Sequence, residues 1–203
     1  MFALSAATQA GLIVNTGAGQ FGGGLNLERT QWLASQFSLD QEYSITKVEG
    51  WMGAWVPGTV TLALYESSEN RFGDELFSSV LDVQGRENAW HGAGGLNWVL
   101  GAGTYWTAFE VRSDQTMRGW MGDSVPFPSG AFAVSQFGGG WIVAAPNTIG
   151  LKVYANEAVS ENVPEPESLA LMIIGLVGVA VARARKPLVT YVDSSRHGLS
   201  HAV

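Results

Sequence analysis

The sequence predicts an all-β chain: an antiparallel β-sandwich of jelly-roll type over residues 11–160, followed by one apolar C-terminal helix that crosses a membrane. Three observations predict it. Short β-rich runs recur between glycine-rich turns from Trp32 to Tyr154, two of these runs alternate with a period of two, and no helical periodicity competes before Pro166. The alternating runs are TVTLALYE, which puts Val60, Leu62 and Leu64 on one face, and TYWTAFEV, which does the same for Tyr105, Thr107, Phe109 and Val111. Turns such as Pro57-Gly58 and Gly101 to Gly103 punctuate the runs and favour a sandwich over a fold of alternating strands and helices.

Residues 1–10 carry a run of apolar and small residues with a small-x-small pattern at Thr8 to Ala10. This reads as the remnant of a secretory signal peptide, with the mature chain beginning near Gly11. A strand over Leu12 to Val14 leads into GAGQFGGG, where Gly17, Gly19 and Gly22 satisfy G-x-G-x-x-G. No helical pattern follows it, so the stretch predicts a flexible glycine loop and not a dinucleotide site. Strands are then expected at Trp32–Leu39, Tyr43–Gly50, Thr59–Glu66, Glu75–Val83, Leu96–Leu100, Thr104–Val111, Ala131–Gln136 and Ile149–Ala155. Trp90-His91-Gly92 reads as a turn beside a packed tryptophan.

The C-terminal stretch VPEPESLALMIIGLVGVAVARARK has its own logic. Pro164 and Pro166 end any preceding strand and can begin a helix only in its first turn, while Glu165 and Glu167 suit a helix N-terminus. From Ser168 to Ala182 no residue is charged, and a helix from Pro166 to Arg185 would be about 30 Å long, the thickness of a hydrocarbon core. Its eight Leu, Ile and Val residues contribute about −2 to −5 kcal/mol on insertion scales, enough to enter lipid with little margin. Arg183, Arg185 and Lys186 follow at once, which predicts a cytoplasmic C-terminus and a sandwich outside. Residues 187–203 show no strong periodicity and are expected to form an unstructured cytoplasmic tail.

Charge and composition narrow the function. Fifteen acidic and seven basic residues precede Pro164, against three and four after it, and so acidic a domain is a poor partner for nucleic acid. With no cysteine, disulfides, iron–sulfur clusters and thiolate zinc sites are excluded. His91 is the one histidine before the C-terminal stretch, which rules out a histidine-rich zinc site, and no G-x-S-x-G elbow supports a serine triad around it. Glu69, Asp74 and Glu75 lack calcium-loop spacing and read as a solvated loop. No cofactor, metal or catalytic residue is therefore expected.

VPEPE, the apolar run and RARK together resemble the PEP-CTERM sorting domain of Gram-negative bacteria, over residues 161–186. The resemblance implies recognition at Pro164, Glu165 and Pro166 by an exosortase, a membrane-embedded cysteine protease or transpeptidase. It implies a membrane helix over residues 168–182 in contact with lipid, and a stop at Arg183, Arg185 and Lys186. It further implies an exported protein, anchored transiently in the inner membrane and then associated with exopolysaccharide at the cell surface or in the matrix. The segments LASQFSL, YSITKVEGWMG, VTLALYE and WHGAGGLNWVLGAGTYWTAFE, spanning roughly Val14 to Tyr154, resemble the surface-exposed sandwiches that accompany such signals. That likeness carries no activity with it.

Eight tryptophans are the one outlier of composition. Trp98 and Trp106 sit in strand patterns and are expected in the core, whereas Trp55, Trp120 and Trp141 are flanked by glycine or proline and are the candidates for stacking on sugar rings. Two classes of function stay open. One is a non-catalytic envelope or matrix protein that binds exopolysaccharide through loop tryptophans. The other is a secreted glycan hydrolase, which would need two carboxylates across a cleft from among Glu49, Glu66 and Glu110.

Overall fold

The computed structural model describes residues 10–20, 24–69, 71–123, 125–127, 130–137, 139–144 and 149–157. The expected signal-peptide remnant, sorting signal, apolar helix and tail lie outside these residues, apart from Ala10. The chain divides into two compact units, Met1–Ala158 and Val159–Val203, and the described residues belong to the first. Among the described residues no helix is long and apolar enough to cross a membrane.

Twelve strands make up the described unit: β1 (Gly11–Asn15), β2 (Leu25–Leu27), β3 (Gln31–Leu39), β4 (Tyr43–Val56), β5 (Gly58–Ser68), β6 (Arg71–Val83), β7 (Ala89–Leu100), β8 (Gly103–Glu110), β9 (Arg118–Met121), β10 (Phe132–Gln136), β11 (Trp141–Ala144) and β12 (Leu151–Glu157). They form two six-stranded antiparallel sheets. Sheet I runs β1-β12-β4-β9-β2 with β7 also on β4, and sheet II runs β11-β10-β3-β8-β5-β6.

β4 is the spine of sheet I. β12 lies along its first half from Tyr43 to Gly50, and β9 along its second from Met52 to Val56. Trp51 joins the two: its N–H donates to the Gly150 carbonyl (2.9 Å) and its own carbonyl accepts from the Gly122 N–H (3.2 Å). Both groups point to one side of an antiparallel strand, so the other side is free for β7, where Trp51 faces Trp90.

The inner faces of the two sheets share the principal core. Ile45, Val48 and Met52 from β4 meet Leu33 and Phe37 from β3, Val60, Leu62 and Leu64 from β5, and Phe109 from β8, all essentially inaccessible to water. Each such side chain contributes about 1.5–3 kcal/mol of transfer free energy. The two alternating runs read from the sequence do present their predicted faces here, with Tyr105, Thr107, Phe109 and Val111 all buried.

Sheet II has a second, smaller core on its other face. Ala133, Ala34, Ala108 and Ala63 stand opposite one another across four adjacent strands, β10, β3, β8 and β5, and each is fully buried. Methyl groups leave room above the sheet, and aromatic rings fill it: Trp106 from β8, Phe72 from β6 and Trp141 from β11. β6 and β11 are opposite edges of this sheet, yet Phe72 and Trp141 stack at 4.3 Å with planes 4° apart. The sheet therefore rolls until its edges meet over the alanine lane.

Three expectations need correction. Trp90-His91-Gly92 is not a turn: it lies inside β7, paired with Gly50, Trp51 and Glu49. The glycines that suggested a turn let β7 lie close on β4. The strands β2, β9 and β11 were not foreseen, because each is only three or four residues long and owes its conformation to its neighbours. The Gly17 to Gly24 stretch packs tightly where it is described. A Cβ at Gly19 would lie 2.4 Å from the Gly122 backbone, and the Gln20 N–H donates to the Asp123 carbonyl at 2.9 Å.

Candidate functional site

The outer-facing positions of β4 are Lys47, Glu49, Trp51, Gly53 and Trp55, and the first four each face a residue of a neighbouring strand. Lys47 faces Tyr154, Glu49 faces Lys152, Trp51 faces Trp90 and Gly53 faces Trp120. Trp55 has no register partner, because the pairing slips between Ala54 and Val56. Such a bulge re-aims the side chain that it carries. Here it sets the Trp55 ring 4.8 Å from that of Trp120 and leaves Trp55 47% exposed.

Glycine at position 53 makes the pair possible. A Cβ there would lie 3.0 Å from the Trp120 ring and 2.9 Å from Asn88 Oδ1, so any larger residue would lift Trp120 off the strand. One step along β4, Trp51 and Trp90 are 5.3 Å apart, and the Lys152 ammonium sits 4.1 Å over the Trp90 ring. Lys47 bonds Glu49 at 2.6 Å and lies over the Tyr154 ring. Burial and the neighbouring Glu49 carboxylate raise the Tyr154 phenol above its ordinary value. The outer face of sheet I is thus a strip of four tryptophans ending in a charged, hydrogen-bonding patch.

Of the three tryptophans singled out in the sequence, Trp55 and Trp120 come together on this strip, 65 positions apart in the chain. Trp141 lies on sheet II, half-buried against Phe72. Trp51 and Trp90 were not among the candidates; the alternation Lys47-Glu49-Trp51-Gly53-Trp55 along one strand face could have found Trp51, whereas Trp90 joins only through the pairing of β7 with β4. Trp98 is core, stacked on Phe77 at 5.4 Å. Trp106 is core too, but in the aromatic cluster of sheet II.

The three carboxylates weighed for hydrolysis are dispersed. Glu49 is on sheet I, bound to Lys47. Glu66 is exposed on β5. Glu110 is buried on sheet II, where Arg112 Nε donates to Oε2 (2.8 Å) and Tyr65 Oη to Oε1 (2.7 Å). The same guanidinium reaches Glu75 at 2.7 Å. Burial pushes the Glu75 carboxyl up, but hydrogen bonds from Ser78 and Arg112 with the guanidinium charge outweigh it and hold the group below the ordinary carboxylate range. Burial and the bond to Glu110 raise the Tyr65 phenol. His91 stands apart, with Nε2 buried and unpartnered among the described residues and its imidazole lowered by burial. Among the described residues no three His, Cys, Asp or Glu side chains gather to hold a metal ion.

Comparison with known families adds one finding. Residues 162–186 match the PEP-CTERM protein-sorting motif. The chain carries a PEP-CTERM signal. Pro164, Glu165 and Pro166 fall near the start of the match, and Arg183, Arg185 and Lys186 close it. A PEP-CTERM signal implies an exported protein that is sorted by way of the membrane and processed by an exosortase. No curated protein matches the chain.

Proposed function

We propose that this exosortase-sorted chain is a non-catalytic cell-envelope or matrix protein that binds exopolysaccharide on the outer face of sheet I. In this reading the sandwich lies outside the cell, and residues 168–182 hold it in the inner membrane until processing releases it to the surface or matrix. The observation that carries the reading is the convergence of Trp51, Trp55, Trp90 and Trp120 on one sheet face beside Lys152 and Glu49. Flat apolar rings next to hydrogen-bonding groups match the two kinds of surface on a pyranose, its C–H face and its hydroxyl rim. A hydrolase is disfavoured by the placement of the carboxylates: Glu49 stands on sheet I in an ion pair with Lys47, while Glu66 and Glu110 lie on separate strands of sheet II, Glu110 in an ion pair with Arg112.

The test is binding of the exported protein to exopolysaccharide from its own host. Trp55→Ala with Trp120→Ala removes two stacking rings worth about 0.5–1.5 kcal/mol each, so affinity should fall about 5- to 150-fold with the fold unchanged by circular dichroism. Unaltered binding by the double variant would remove the sheet I reading. The sorting step is checked separately by intact mass in hosts with and without the exosortase. A product ending near Pro164 to Pro166 is expected only where the enzyme is present.

A further inference from the structure

The seam where sheet II closes on itself is a cleft of about 740 Å³ lined by Tyr65, Glu69, Arg71, Phe72, Trp141 and Val143 among others. Its volume is that of an ordinary small-ligand site. The ring stack of the second core leads out to it. Trp106 is fully buried and lies 4.6 Å from Phe72 at 20°, and Phe72 lies 4.3 Å from Trp141 at 4°. Phe72 and Trp141 are only half-buried, so the stack ends at the surface with Trp141 as its last parallel ring. Arg71 and Glu69 stand exposed at the rim, and Gly73 and Gly140 open backbone to the space between them. An apolar wall with a polar rim is again the chemistry of a sugar ring.

We infer that this cleft is a second glycan site, on the opposite outer face of the sandwich from the tryptophan strip, and that the protein cross-links polysaccharide chains. The inference rests on the sheet I reading for its first site. It adds a distinct consequence: one chain with two sites on opposite faces can bridge two strands, whereas one face alone can only coat them. The shapes suit different parts of a polymer. An open strip along a sheet face accepts the middle of a chain, and a cleft accepts one or two sugar units or an end.

The test uses the exported protein with the host's exopolysaccharide, both as short oligosaccharides produced by partial hydrolysis and as the intact polymer. Titration calorimetry should give two oligosaccharides per protein, and mixing with intact polymer should raise light scattering and viscosity. Trp141→Ala should halve the stoichiometry and abolish the viscosity rise while the polymer stays bound. Arg71→Ala, which leaves the stack in place, should weaken the cleft site about tenfold and guards against a merely unfolded Trp141 variant. Trp55→Ala with Trp120→Ala should weaken one of the two sites by the same factor of about 5 to 150 as above and leave the cleft site unchanged. A wild-type ratio of one that vanishes with Trp55 and Trp120 and ignores Trp141 and Arg71 would overturn the cleft and leave the strip standing. The reverse pattern would keep the cleft and overturn the strip, and with it the cross-linking. Absence of binding to either preparation would remove both.

Discussion

Trp106→Ala is expected to lower the unfolding free energy by about 3–5 kcal/mol, the cost of emptying a fully buried tryptophan site. The indole stands between the alanine lane and Phe72, and it is the innermost of three stacked rings. Without it the lane has nothing to close on, and the contact between β6 and β11 loses its support. For a domain of this size the midpoint of thermal unfolding should drop by about 6–20 °C. Trp106→Phe is the informative control. It keeps a ring against Phe72 and deletes an indole N–H that has no partner among the described residues, so its cost should stay below about 2 kcal/mol. Equal losses for both variants would mean that ring stacking does not hold the roll together.

Arg112→Leu should cost about 2–4 kcal/mol. It strands the Glu110 carboxylate, which is 1% exposed and keeps only its bond from Tyr65. The expected loss lies toward the lower part of the range for broken buried pairs because Arg112 is itself about a third exposed and water screens it. Adding Glu110→Gln to this variant should restore more than half of the loss, since an amide still accepts from Tyr65 and carries no charge. Failure of that rescue would show that guanidinium packing, and not the stranded charge, is what matters. The pH dependence has a defined sign. The Glu75 carboxyl is depressed in the folded state, so its contribution is fully present above the ordinary carboxylate range and is lost as pH falls through its lower folded value. Arg112→Leu should flatten that acid limb in urea titrations.

What could be read in the sequence was what each strand declares by itself. TVTLALYE and TYWTAFEV announce a buried face by alternation, and both keep it in the fold. The PEP-CTERM signal is likewise local, a fixed order of proline, apolar run and basic residues, and the family match coincides with it. What could not be read was register. The alanines at 34, 63, 108 and 133 look unremarkable one at a time, and only pairing between strands distant in sequence sets them in a row. Trp141 failed to join Trp55 and Trp120 for the same reason: the glycine beside it says nothing of which sheet it enters. β7 misled because its glycines, read locally, argue for turns, while their use is to let two strands approach.

The place of β12 bears on how such a protein would carry force. This strand runs between β1 and β4, hydrogen-bonded on both sides, and among the described residues it is the last strand before the PEP-CTERM signal. Tension applied through the C-terminal side while a polymer grips the tryptophans of β4 would act along the strands. It would load the β12–β4 ladder in shear, all of its pairs together, instead of peeling bonds away singly. The ladder joining grip and tether spans seven register pairs, from Tyr43 and Glu157 to Gly50 and Leu151. If the proposed binding holds, mechanical strength between tether and polymer would be concentrated in two adjacent strands, with the rolled sheet behind them outside the loaded path.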